Sequence, residues 1–125
     1  MRLRVRFAET DQLGVAHHSS YVIWLEAARI EWLRERGLSY RELEESGLSL
    51  MVSNLNVEYR QSTRFDDEID LEVTLQELRS RQLAIGYRLR RRLLATATTT
   101  HIAADRTGKA VRIPADWLAA MLASC

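Results

Sequence analysis

SSYVIWLEAARIEWLRERG, residues 19–37, is the stretch on which the fold turns. Tyr21, Trp24, Leu25, Ala28 and Trp32 recur at helical spacing and share one face. Val22, Ile23, Ile30 and Leu33 widen that face until most of the circumference is apolar. A helix of this kind is wrapped by other structure rather than laid on a surface. Ser19 or Ser20 is placed to cap its start, and Gly37 to stop it. Ser39 to Glu42 has the spacing of a capping box, predicting a short second helix that ends at Gly47.

On either side of these helices the period changes to two. Leu3, Val5 and Phe7 alternate with Arg2, Arg4 and Arg6, predicting a short half-buried strand. Met51, Leu55, Val57 and Tyr59 predict a second, and Ile69, Leu71, Val73 and Leu75 a third. Leu83, Ile85, Tyr87 and Leu89 predict a fourth, with Gly86 and the row Arg88, Arg90, Arg92 on its solvated opposite face. Ala95 to Ala104 is threonine-rich and predicts a long last strand, with Thr96, Thr98 and Thr100 at a sheet edge. Asp105 to Gly108 reads as a turn, Val111 to Ile113 as a possible extension, and Pro114 opens a short helix carrying Trp117 and Met121. This is an α+β order: a meander-like antiparallel sheet with one long helix packed into its concave face.

Composition narrows the function. The chain has 125 residues, enough for one domain over 1–125 and too few for two. Its 18 basic and 17 acidic residues leave a net charge of +1, without the strong positive balance of a nucleic-acid binder. No apolar run is long enough for a membrane span, and the N-terminus has no secretory signal pattern, which makes the cytoplasm the expected compartment. Cys125 is the lone cysteine, which excludes an internal disulfide framework.

Polar residues concentrate between the first strand and the long helix: Glu9, Thr10, Asp11, Gln12, His17, His18, Ser19 and Ser20. Asp11 reads in two ways, as a loop or capping residue, or as a carboxylate beside helix-start N–H groups that polarise a carbonyl. His17 and His18 are too poorly supplied with further ligands for a metal site. Trp24 and Trp32 read as core, and Asp66 and Asp67 as a structural turn.

Residues 5–37, VRFAETDQLGVAHHSSYVIWLEAARIEWLRERG, carry a more specific pattern. An acidic residue, Asp two positions on, Gly three further and a Tyr leading into a long helix are met by Glu9, Asp11, Gly14 and Tyr21. In this the chain resembles the hotdog-fold acyl-CoA thioesterases of the 4-hydroxybenzoyl-CoA thioesterase type. The resemblance extends through EYRQSTRFDDEIDLEV (58–73), LRSRQLAIGYRLR (78–90), the threonine-rich strand and GKAVRIPADW (108–117). It departs at Glu9, where Asp is commoner, and at Phe7, where the short-chain branch has tyrosine. The resemblance implies an antiparallel sheet wrapped around one central helix, and hydrolysis of an acyl-CoA thioester to a free acid and coenzyme A. It implies Asp11 as nucleophile or general base and His18 as its neighbour in catalysis. Backbone N–H groups near His17 to Ser19 would form the oxyanion site, with Tyr21 behind them. Arg79, Ser80 and Arg81 fall at the turn that holds the phosphates of coenzyme A. A homodimer or homotetramer is implied, with no metal or other cofactor. The alternatives are a non-catalytic hotdog module that binds an acyl-thioester or acyl carrier protein, and a dehydratase of the same fold.

Overall fold

A computed structural model describes residues 1–123; Cys125 lies outside them. Its elements run β1 (Arg2–Arg4), α1 (His18–Glu35), α2 (Tyr40–Glu45), β2 (Ser49–Tyr59), β3 (Glu68–Leu78), β4 (Gln82–Arg90), β5 (Leu93–Ala104) and α3 (Ala115–Leu122). The five strands form one antiparallel sheet in the order β1-β3-β4-β5-β2. Strands β3 to β5 are a meander, as the alternation predicts, and β1 and β2 flank it.

The long helix is α1, and Tyr21, Trp24, Leu25, Ala28, Trp32 and Leu33 are buried on its inner face. They meet the alternating residues Leu71, Leu83, Ile85, Tyr87 and Leu89 of the sheet in one core. Burial of several such side chains, at about 1.5–3 kcal/mol each, holds the helix against the sheet. Trp117 and Met121 of α3 close the same core. Wrapping is one-sided, however: Ile23 on the flank of α1 stays 57% exposed. Gly37, at φ +74°, ends α1 as expected, and Ser39 caps α2 by accepting from the Glu42 N–H.

Four expectations are corrected. Phe7 is not on the first strand: β1 ends at Arg4, and Phe7 lies in a 3-10 turn with 76% exposure. The cap of α1 is His17, because Ser20 is buried and bonds elsewhere. The edge on that side of the sheet is β2, with β1 the edge on the other, since β5 is paired on both sides, by β4 and β2. Several apolar side chains of β2 also lack cover, with Met51 50% and Leu55 43% exposed. Arg92 leaves the expected arginine row, because β4 ends at Arg90 and Arg92 lies in the following turn. Arg90 in that row pairs with Glu72 at 3.3 Å.

A line of polar side chains crosses the core. His101 is fully buried, and its Nδ1 lies 3.3 Å from the Leu50 carbonyl oxygen. A carbonyl only accepts, so Nδ1 carries the proton and Nε2 accepts from the Thr99 hydroxyl at 2.8 Å. Thr99 Oγ1 then receives the Tyr87 hydroxyl at 2.7 Å, and Tyr87 receives Arg29 Nη1 at 3.3 Å. The line ties α1 through β4 and β5 to β2. The Leu50 N–H is taken by the Tyr40 hydroxyl of α2 at 3.0 Å.

Candidate active site

After β1 the chain leaves the sheet at Val5, whose N–H donates to the Asp67 carbonyl at 2.9 Å. The Glu9 carboxylate is only 7% exposed. Its Oε1 accepts the Arg6 N–H at 2.7 Å, and its Oε2 accepts Trp24 Nε1 at 2.7 Å. The Glu9 carbonyl accepts the Ser20 hydroxyl at 3.0 Å and the His17 N–H at 2.8 Å. Glu9 therefore ties the loop to the first turns of α1 and is not available to a ligand. Desolvation pushes its pKa up, but hydrogen bonds from the Arg6 N–H, Trp24 and the Arg6 guanidinium outweigh it and hold the carboxyl below its ordinary pKa.

Asp11 sits in the tight loop that follows. Its N–H donates to the Val15 carbonyl at 2.9 Å, and its own carbonyl receives the Gly14 N–H at 3.0 Å. Gly14 supplies the φ of +80° that this turn requires. Asp11 Oδ1 accepts the Leu13 N–H at 2.8 Å, an Asx turn, while Oδ2 has no partner among the described residues. Both readings of Asp11 thus find a counterpart: one oxygen shapes the loop and the other is free.

The head of α1 is equally specific in what it leaves open. His17 Nδ1 accepts from the Ser19 N–H at 3.2 Å and lies 2.8 Å from the Ser19 hydroxyl, which puts the ring proton on Nε2. Of the expected oxyanion donors, the His17 N–H is spent on Glu9 and the Ser19 N–H on the cap. The His18 N–H has no partner among the described residues. The His18 ring stacks on His17, with centroids 4.1 Å apart, and the His18 carbonyl receives the Tyr59 hydroxyl at 2.9 Å. Tyr59 meets Tyr21 edge-on at 4.8 Å. Burial, reinforced by Tyr59, keeps the Tyr21 phenol above its ordinary pKa, so it stays a hydrogen-bond donor at neutral pH.

Ala16, His18, Tyr21, Tyr59, Arg60, Gln61 and Ser62 line a hollow of about 270 Å³ beside the Asp11 loop. Asp11, His17, His18, Ser19 and Tyr21 thus gather at one end of the sheet. Arg79, Ser80 and Arg81 do not join them within one chain. They form the β3–β4 turn, where Ser80 accepts the Ile113 N–H at 2.8 Å and Arg79 is paired with Glu77. The length of β3 separates them from the Asp11 end, about 33 Å at strand rise. A larger hollow of about 460 Å³, between α1 and α2, also lies away from Asp11. Tyr59 is the site residue that the pattern of the sequence leaves unmarked; it reads there only as a strand residue. Among the described residues no cluster of three His, Cys, Asp or Glu could hold a metal ion, and no helix is long and apolar enough to cross a membrane.

Residues 5–122 match the sequence pattern of the thioesterase-like superfamily, and the chain belongs to it. It is 30% identical over 109 residues to the acyl-CoA thioesterase YbgC of Haemophilus influenzae, covering 86% of this chain and 80% of that one. A crystal structure of a Thermus thermophilus protein is 40% identical with a TM-score of 0.94, covering 98% of this chain and 96% of the other. The DHNA-CoA thioesterase of Staphylococcus aureus is 27% identical with a TM-score of 0.95, covering 99% and 88%. The fold is the hotdog fold that the resemblance implies.

Proposed function

We propose that this chain hydrolyses an acyl-CoA thioester to a free acid and coenzyme A at the head of α1, acting as one functional unit over residues 1–125. The reading rests on one juxtaposition: a carboxylate oxygen of Asp11 and the N–H of His18, both without partners among the described residues, on either side of the same short loop. Membership of the thioesterase-like superfamily supports it. The thioester carbonyl oxygen is polarised by the His18 N–H, aided by the positive end of the helix. Asp11 either draws a proton from the attacking water or attacks the carbonyl itself, forming an anhydride that water opens. Both routes break the C–S bond, release the thiol of coenzyme A and leave the acid. His17 holds the helix start through Ser19, the His18 ring flanks the reacting carbonyl, and Tyr21 backs the cleft. The reaction of a carboxylate with a thioester needs no metal or redox cofactor.

The chemistry fits a cytoplasmic enzyme, since coenzyme A thioesters are intracellular metabolites. A homo-oligomer is the fitting assembly, because β2 presents an unpaired edge and uncovered apolar side chains. In such an assembly the Arg79, Ser80 and Arg81 turn of a second copy would supply the coenzyme contacts that the resemblance implies. The test is release of free thiol across a panel of acyl-CoAs. Turnover supports the hydrolase; tight binding of every acyl-CoA without thiol release supports the binding module instead.

A further inference from the structure

Arg29 is a half-buried charge with no acid to answer it among the described residues. Its side chain makes one hydrogen bond there, from Nη1 to the Tyr87 hydroxyl at 3.3 Å, and that partner is neutral. Arg64, Arg81, Arg88, Arg92 and Arg112 also lack acid partners, but each is exposed and keeps its water. Arg29 has lost part of its hydration, which is costly for a charge unless an anion takes the place of the water. The polar line to His101 and Leu50 fixes where the guanidinium stands, since the hydroxyls of Tyr87 and Thr99 are both committed along it.

Arg29 lines a hollow of about 340 Å³ between α1, α2 and β2. Ile30, Leu33, Leu50 and Val52 give it apolar walls, and the Tyr40 hydroxyl is spent on the Leu50 N–H. Glu26 and Glu44 line it too, but both are exposed, so water screens them, and neither pairs with Arg29. The hollow thus combines apolar walls with a cation whose remaining N–H groups are unspent. A short hydrocarbon chain ending in a carboxylate matches both.

Within one chain this hollow lies at the wrong end of β2 for Asp11. Leu50 in its wall and Tyr59 in the wall of the Asp11 cleft stand about 30 Å apart at strand rise. A second copy reverses this. Antiparallel pairing of two β2 edges about the middle of the strand sets the Leu50 end of one copy beside the Tyr59 end of the other, about 5 Å away. The hollow of one copy then continues the cleft of the other.

We propose that Arg29 determines acyl specificity: it selects acyl groups whose far end carries a carboxylate, as in the coenzyme A monothioester of a short dicarboxylic acid, and it serves the Asp11 site of the second copy. This rests on the thioesterase reading and extends it to the identity of the acyl group.

Glutaryl-CoA and valeryl-CoA have acyl chains of equal carbon count and differ in that carboxylate. The parent should show the higher kcat/KM on glutaryl-CoA. R29M, which keeps an unbranched stem and removes the charge, should cut the glutaryl-to-valeryl ratio about ten- to a hundredfold, mostly through KM. R29K should recover part of it. An unchanged ratio in R29M overturns the proposal, as does an equal loss on both substrates, which marks Arg29 as structural. Mixed dimers of one R29M chain and one D11N chain, isolated with two tags, test the role across copies. Their one competent site takes Asp11 from the first chain and Arg29 from the second, so the parent's ratio should return. The R29M ratio in the mixed dimer overturns the assignment to the second copy. Calorimetric titration with glutarate and valerate reads Arg29 without turnover: the parent should bind glutarate more tightly, and R29M should bind the two alike. If the parent frees no thiol from any acyl-CoA yet shows that difference, Arg29 stands and the hydrolase reading falls. If the parent hydrolyses acyl-CoAs with no preference for glutaryl-CoA over valeryl-CoA, the hydrolase reading stands and this proposal falls.

Discussion

Asp11 and Glu9 are two carboxylates two positions apart, and their surroundings give them opposite tasks. Glu9 has its oxygens filled by donors, whereas Asp11 keeps one oxygen free. Asp11→Asn should lower kcat by about 10²- to 10⁴-fold while the melting temperature stays close to the parent, because the amide oxygen still accepts from Leu13. Steady-state rates with thermal melting check both halves, and a near-parent rate would remove Asp11 from the chemistry. Glu9→Gln should instead cost about 1–3 kcal/mol of stability, since the amide nitrogen must face either the Arg6 N–H or Trp24 Nε1, both donors. Because the fold lowers the pKa of Glu9, its contribution is full above the ordinary glutamate range and fades as pH falls through the lowered value. Denaturant titrations of parent and variant should therefore converge in acid. The spacing of Glu9, Asp11, Gly14 and Tyr21 marked this loop in the sequence, but which acid is buried depends on Trp24, brought in fifteen residues later.

Between elements, the polar line from Arg29 to Leu50 has a clear acid signature. Burial, and then the charge of Arg29, push His101 down to about 4 against an ordinary 6.5. The unfolded chain therefore takes up a proton at higher pH than the native one. His101 contributes its full stability above about pH 6.5, and that contribution drains away between there and about pH 4, by roughly 3 kcal/mol in all. His101→Gln, which keeps a neutral donor and acceptor, should flatten the slope of stability against pH in that window, as urea titrations at stepped pH would reveal. An unchanged slope would assign it to other groups. Periodicity revealed β3, β4 and the inner face of α1 because their buried residues alternate cleanly. It misplaced Phe7 because the strand stops at Arg4 and the alternation runs on into a 3-10 turn, and it misplaced the sheet edge because alternation tells which residues share a face, not which strand lies beside which. The edge is settled by long-range pairing, such as Leu50 with Ala103 and Tyr59 with Ala95, and no local pattern encodes that.

At the scale of the whole molecule, the uncovered flank of β2 is the feature that calls for company. Light scattering at micromolar concentration should give at least twice the chain mass of 14.4 kDa, and Leu55→Arg, which sets a charge amid the exposed apolar residues of β2, should shift the distribution toward single chains. A folded parent of single-chain mass would overturn the expectation. The pairing of β1 carries a further consequence, one of timing. Arg2 meets Asp70 and Arg4 meets Glu68, so the first strand has nothing to bind until its partner has been made. The same delay falls on α1, which is complete at Glu35 while the strands that cover it finish at Ala104. At synthesis rates of about 5–20 residues per second, that apolar helix waits roughly 3–14 s for its sheet. A nascent chain of this kind is sticky for most of its birth, and a ribosome-bound chaperone would find its longest-lived target in residues 19–37.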